Sequence, residues 1–195
     1  LSTWNLHFSR SNIEFILNVT GNATDADGDS LNFTNQSTFP SFFINLTSGI
    51  INFTADDKDV GMWIVNITAS DGKASNKTSV NFSISNVNDG PVFPQIENKT
   101  VDEDSNLTFY FYVYDDDFLI PQASKNNYYN ETLNYSVTIE GVNTTLFDID
   151  YISLSGNMTT YMINFTPSKT EVGEYDVTIN ITDSSGVKNS TRFNI

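Results

Sequence analysis

Residues 49–72 read GIINFTADDKDVGMWIVNITASDG, and residues 161–186 read YMINFTPSKTEVGEYDVTINITDSSG. The second stretch repeats the first at a constant offset of 112, pairing Asn52 with Asn164, Val60 with Val172, Gly61 with Gly173, Trp63 with Tyr175 and Asp71 with Asp183. After a small insertion, NKTSVNFSI at 76–84 aligns with NSTRFNI at 189–195. Self-similarity at a fixed offset is the mark of one domain written twice. Within each copy, apolar and polar residues alternate. Trp63, Val65, Ile67 and Ala69 are expected to face inward with Tyr175, Val177, Ile179 and Ile181, leaving Asn66, Thr68, Thr178 and Asn180 outward, which is the period of a half-buried strand.

Working outward, Asp27-Gly28, Ser48-Gly49, Asp71-Gly72 and Asp89-Gly90 supply the short polar and φ > 0 residues that turns use. Strand-length runs at short spacing between such turns point to sandwiches rather than βαβ units. The boundary is expected within SNVNDGPVFP, residues 85–94, where proline stops ladder pairing. The expected fold is therefore all-β: two tandem immunoglobulin-like antiparallel sandwiches, residues 1–90 and 91–195. A chain of 195 residues, rich in Asn, Thr, Ser, Phe, Tyr, Ile and Val, suits that reading.

The formal charge of -15, with nine Lys and Arg scattered along the chain, repels phosphate backbones and anionic lipid surfaces, so nucleic acid is excluded as a partner. Charged residues are 17% of the total, too few for a charge coat to keep the surface wet, and carbohydrate is the candidate for that role. Cysteine is absent, which removes disulfides, thiolate metal sites and thiol nucleophiles and leans towards a prokaryotic surface protein or one stabilised by calcium and glycans. No run approaches the roughly 18 apolar residues of a membrane span, so no direct insertion is expected and the chain reads as a mature or excised ectodomain.

Asn-x-Ser/Thr, the acceptor for N-linked glycans, occurs 18 times. The asparagines are Asn18, Asn22, Asn32, Asn35, Asn45, Asn52, Asn66, Asn76, Asn81, Asn98, Asn106, Asn130, Asn134, Asn143, Asn157, Asn164, Asn180 and Asn189. With 25 asparagines, and 43 of 195 residues Ser or Thr, chance placement would supply roughly five or six. In eleven triplets the middle residue is apolar or aromatic: Val19, Phe33, Leu46, Phe53, Ile67, Phe82, Leu107, Tyr135, Met158, Phe165 and Ile181. A middle residue pointing into the core puts its Asn and Thr on the solvent face, so glycans are expected on sheet faces as well as loops.

The residues Ala69, Asp71 and, displaced by one, Gly72, followed by Asn86, Asn88, Asp89, Gly90 and Pro91, resemble the end of a cadherin repeat and its linker. TDADGDSLNFT at 24–34 and GIINFTADDKDVG at 49–61 are similar to the dystroglycan-type and prokaryotic cadherin-like branch. The resemblance covers most of both domains, more weakly over 118–160. It implies a calcium site formed by Asn88, Asp89, Asp115, Asp117 and Asp183, with Asp25, Asp27 and Asp71 as the equivalent set in domain 1. Calcium takes six to eight hard oxygens in flexible geometry. Asn86 stands where the family has aspartate, Gly90 where it has asparagine, and the glutamate of its Asp-Arg-Glu motif is missing unless Asp56 or Asp57 substitutes; fewer carboxylates imply weaker binding.

No constellation for catalysis stands out: His7, the single histidine, lies on the polar face of an alternating strand, and paired carboxylates fall at expected turns. The sequon-free windows are more informative, because a bulky glycan keeps other proteins away. Residues 1–17 carry Trp4, Leu6 and Phe8, and residues 109–129 carry Tyr110, Tyr112 and Tyr114 outward, followed by Phe118, Leu119 and Ile120. These are the expected contacts of a self-associating homopolymer with head-to-tail interfaces. Two readings of the N-terminal strand stay open: it completes a neighbour's sheet, or it is the first strand of its own domain. The expected function is a glycosylated extracellular subunit of a surface layer or filament, or alternatively a binding module of a larger calcium-dependent adhesin.

Overall fold

The structure is a computed structural model; it describes residues 14–120, 131–140 and 146–195, and the backbone alone of residues 5–9. The described residues divide into two compact units, one running to Val87 and taking in Ile120, the other formed by the remainder from Asn88 onward. Among them are twelve strands and no α-helix.

In the first unit, β1 (Asn5–Ser9), β6 (Ser75–Ser85), β5 (Gly61–Ser70) and β3 (Asn32–Gln36) form one sheet in that order, faced by a pair, β2 (Glu14–Asn18) and β4 (Ile50–Thr54). Pairing is antiparallel except at β1, which runs parallel to β6 with Leu6 opposite Phe82 and Phe8 opposite Ile84. Within the antiparallel sandwich that the sequence predicts, β1 is the one parallel pairing among the described residues. The same ladder shows the N-terminal strand completing its own chain's sheet; Trp4 lies outside the described residues. Between the layers sits an aromatic core. Phe82, fully buried, has its ring centroid 5.6–6.1 Å from those of Phe15, Phe39, Phe42 and Phe53.

The second unit stacks β7 (Leu107–Tyr114), β10 (Met158–Phe165) and β9 (Ile149–Ser155) against β12 (Lys188–Asn194), β11 (Asp176–Thr182) and β8 (Asn134–Ile139). Its core gathers Phe111, Val113, Tyr161, Ile163, Val177, Ile179, Ile181 and Phe193. The repeat legible in the sequence is also a repeat of hydrogen bonds. A 3-10 turn over Asp57–Asp59 carries a capping box between Asp56 and Asp59, and one over Lys169–Glu171 carries the same box between Ser168 and Glu171. Trp63 Nε1 then donates to the Asp59 carbonyl at 2.6 Å, and Tyr175 Oη to the Glu171 carbonyl at 2.9 Å. An aromatic four residues after each box thus ties the turn to the strand that follows.

Two glycines act differently from one another. Gly49 has φ +60, and a Cβ there would meet the Phe33 ring at 3.0 Å, so the turn into β4 admits no side chain. Gly90 lacks the expected positive φ; its role is close approach, since a Cβ would lie 2.8 Å from Val187 Cγ1.

Candidate functional site

Sixteen of the eighteen sequon asparagines lie in the described residues, and none of the sixteen is buried; Asn130 and Asn143 fall outside. The strand argument explains why. Phe33, Phe53, Ile67, Phe82 and Ile181 are buried sequon centres, and the flanking Asn32, Asn52, Asn66, Asn81 and Asn180 emerge on the opposite face. Asn18, Asn22, Asn35, Asn45, Asn76, Asn98, Asn106, Asn134, Asn164 and Asn189 are exposed, and Asn157 is half-buried.

Three triplets depart from the expectation. Leu46 is 53% exposed, because Asn45 heads a turn in which its Oδ1 accepts from Thr47 N and Ser48 N rather than extending a strand. Tyr135 is 44% exposed, yet its hydroxyl donates to the Ile149 carbonyl at 2.6 Å and its ring lies edge-on to Tyr161. In the third, Thr159 is buried at 3% exposure, while Asn157 Nδ2 donates to Asp116 Oδ1 at 2.7 Å. Elsewhere two acceptors meet. Asn106 precedes β7 and Asn164 is the penultimate residue of β10, and antiparallel register brings Asn106 Nδ2 to 2.7 Å from Asn164 Oδ1, with Thr108 Oγ1 donating to both carboxamide oxygens.

The second cluster is acidic and lies wholly within the second unit. Asp115 follows β7, Asp117 is the second residue of the 3-10 turn Asp116–Leu119, and Glu131 lies beyond it; all three are buried and offer carboxylate oxygens within 4.8 Å of one another. Asp117 Oδ2 accepts from Asp89 N at 3.0 Å, and Asn88 Nδ2 donates to Asp183 Oδ2 at 2.7 Å. Asp183 Oδ1 is taken by Ser185 N and Val187 N in the turn between β11 and β12. Burial pushes the Asp115 carboxyl up to about 7; the Asp117 N–H opposes that, and the neighbouring charges of Glu131, Asp117 and Asp183 add to it. Among the described residues, Asp115 Oδ2 and Asn88 Oδ1 are buried with no hydrogen-bond partner. Unpartnered hard oxygens beside mutually repelling buried carboxylates are the donor set that suits calcium, so these residues fit the ion the resemblance implies.

Sequence reasoning missed Glu131. It is the middle residue of a sequon, with Oε2 accepting from Ser184 Oγ at 2.8 Å and Oε1 from Ser184 N at 3.1 Å, and nothing in its local pattern marks it as inward. The equivalent set in the first unit behaves otherwise: Asp25 Oδ1 accepts from Asp27 N and Asp29 N, and Asp71 Oδ1 from Lys73 N and Ala74 N. Those carboxylates cap turns. Asp56, considered as a substitute glutamate, heads its capping box instead.

On the sheet of β7, β10 and β9, Phe111 and Val113 are buried while Tyr110 and Tyr112 are 52% and 42% exposed. They stand opposite Met162 and Thr160, with half-buried Tyr114 opposite Met158. Acceptors mark the margins of this face, Asn106 and Asn164 at one end and Asn157 at the other. Of the adjoining trio, Leu119 is 45% exposed and Phe118 half-buried, but Ile120 is 3% exposed and offers no surface, which corrects its place among the expected contacts.

No protein-family model matches the sequence, and no curated protein matches it. Among solved structures the chain is similar to extracellular domains 1–3 of mouse clustered protocadherin PcdhgC3, with TM-score 0.50, 11% identity, and 98% of this chain against 64% of that one covered. It is also similar to extracellular domains 1–4 of protocadherin gamma B7, at 0.49, 17%, 99% and 47% respectively. An endo-fucoidan hydrolase of glycoside hydrolase family 107 aligns at TM-score 0.43 and 16% identity, over 100% of this chain and 28% of that one. The chain thus spans less than two thirds of each of these structures. The fold is cadherin-like, of the immunoglobulin-type all-β class.

Proposed function

We propose that this chain is a non-enzymatic, N-glycosylated extracellular protein that builds a cell-surface layer or filament through protein contacts at sugar-free windows. The observation that carries the reading is that every described acceptor asparagine reaches the surface while the strand residues between them form the core. A carbohydrate sheath on the sheet faces keeps a sparsely charged chain wet, and leaves the face of Tyr110 and Tyr112 uncovered for a second copy. The acidic cluster, holding calcium through Asp115, Asp117 and Glu131 with Asn88, Asp89 and Asp183 around them, would tie the start of the second unit to its turns. Among the described residues no helix is long and apolar enough to cross a membrane.

Native-size measurement on glycosylated material tests the assembly. Replacing Tyr110→Asn together with Tyr112→Thr writes a new sequon, Asn-Phe-Thr, onto the tyrosine face; the glycan it recruits should abolish polymers while leaving the melting curve of the monomer nearly unchanged. Polymers that persist with that glycan attached would remove this face from the interface. The second reading, an adhesion module of a larger calcium-dependent protein, is favoured by the acidic cluster and predicts stable monomers that bind a different surface.

The contact between Asn106 and Asn164 leads to a separate expectation. Two glycans cannot both leave carboxamides 2.7 Å apart without prising them from their hydrogen bond. Site-resolved mass spectrometry should find doubly modified molecules below the product of the two single occupancies, and Asn106→Gln should raise occupancy at Asn164.

A further inference from the structure

The sequon Asn76-Lys77-Thr78 reverses the usual parity. On β6 the buried side chains are Val80, Phe82 and Ile84, so the same parity carries Thr78 and Asn76 on the inward face of the sheet. Lys77, between them, points the other way and reaches Gln36 Oε1 at 3.5 Å. Asn76 stands opposite Ala69 in the ladder, in line with the core residues Val65 and Ile67. It is nonetheless exposed, because the two sheets do not close there. The gap is a cleft of about 810 Å³ whose lining includes the apolar Leu17, Phe33, Ala69 and Val80 and the polar Asp25, Asp71, Asn22 and Asn76. Asn76 Oδ1 accepts from Lys77 N, and its Nδ2 donates to no protein group among the described residues.

We propose that the glycan on Asn76 occupies this cleft and completes the open end of the first sandwich. The inference rests on the glycosylation reading above. A chain leaving this exposed carboxamide starts on the core-facing side of β6, at a cleft that Asn76 itself lines. The cleft lies within the roughly 300–1,000 Å³ of small-molecule sites. Its apolar side chains suit the C–H faces of sugar rings, and its carboxylates suit their hydroxyls. Covalent attachment makes the encounter intramolecular, so even weak contacts are populated.

The test uses the full glycosylated protein. Site-resolved mass spectrometry before and after mild periodate oxidation should show the Asn76 sugar oxidised several-fold more slowly than that on outward-facing Asn32, with the difference lost after denaturation. Asn76→Gln, and independently Thr78→Val, which removes the acceptor hydroxyl but keeps Asn76, should each lower the melting temperature by several degrees, while Asn32→Gln should leave it unchanged. Equal oxidation at Asn76 and Asn32, or an unmodified Asn76 beside modified outward sites, overturns the proposal while sparing the glycosylation reading. Absence of sugar at every asparagine overturns both.

Discussion

Phe82→Ala destabilises the first unit by about 3–5 kcal/mol, a large part of the 5–15 kcal/mol that holds an ordinary domain together. The ring is fully buried, and four other aromatic rings surround it at centroid distances of 5.6–6.1 Å. Removing it leaves a cavity that stiff aromatic neighbours on two strands, β2 and β4, and the loop after β3 cannot fill. The variant keeps the triplet Asn-Ala-Ser at 81–83, so it separates the two roles of the sequon: the acceptor survives while the strand that presents it loses its anchor. Urea unfolding monitored by tryptophan fluorescence is the measurement. A loss under 1 kcal/mol would mean that the aromatic cluster is not the core of this unit, whereas the double change Asn81→Gln, Ser83→Ala should cost little by comparison.

The second large effect is a coupling of calcium and pH at Asp115. In the absence of metal, the folded chain holds a proton on Asp115 up to about pH 7, while the unfolded chain releases it near 3.8. The native state therefore binds more protons than the unfolded state between those values. The contribution of this group to stability is present in full below pH 4 and is lost as pH rises towards 7. Calcium at the proposed site would compete with that proton, so its affinity should rise across the same window and its stabilising effect should be greatest above pH 7. At a hundredfold excess over Kd, an ion bound by the native state alone adds about 2.7 kcal/mol. Thermal melts with calcium or with a chelator, at pH 5 and pH 8, read this directly. The gap between the two conditions should be wide at pH 8 and narrow at pH 5, and Asp115→Asn should close it at both. A melting temperature indifferent to calcium at pH 8 would reduce the cluster to a strained polar core.

Much of the fold was legible because strands report their own periodicity. The two copies at offset 112 did not predict the matching capping boxes or the Trp63 and Tyr175 hydrogen bonds, but they located the strands involved, since the alternation of Val65 and Ile67 with Asn66 and Thr68 follows from pleat geometry alone. Leu46 and Tyr135 went astray for a local and a distant reason respectively. Asn45 can hydrogen-bond its own backbone and so makes a turn of an apolar triplet, while Tyr135 finds its hydroxyl partner on a strand remote in sequence. Glu131 was invisible because its partners Asp115 and Ser184 are contributed by other parts of the chain, and a polar residue among polar residues carries no inward signal.

The amino-acid order by itself determined the all-β class, the internal repeat, the sequon asparagines and the face on which most of them stand, because all of these but the repeat depend on neighbours one or two residues away. Only the tertiary structure decided which carboxylates meet, that β1 pairs in parallel within its own sheet, that Asn106 touches Asn164, and that Asn76 faces inward over an open cleft. Those depend on register between strands and on where two sheets stop covering one another, and register is set by the closing of the whole core rather than by any short stretch of chain.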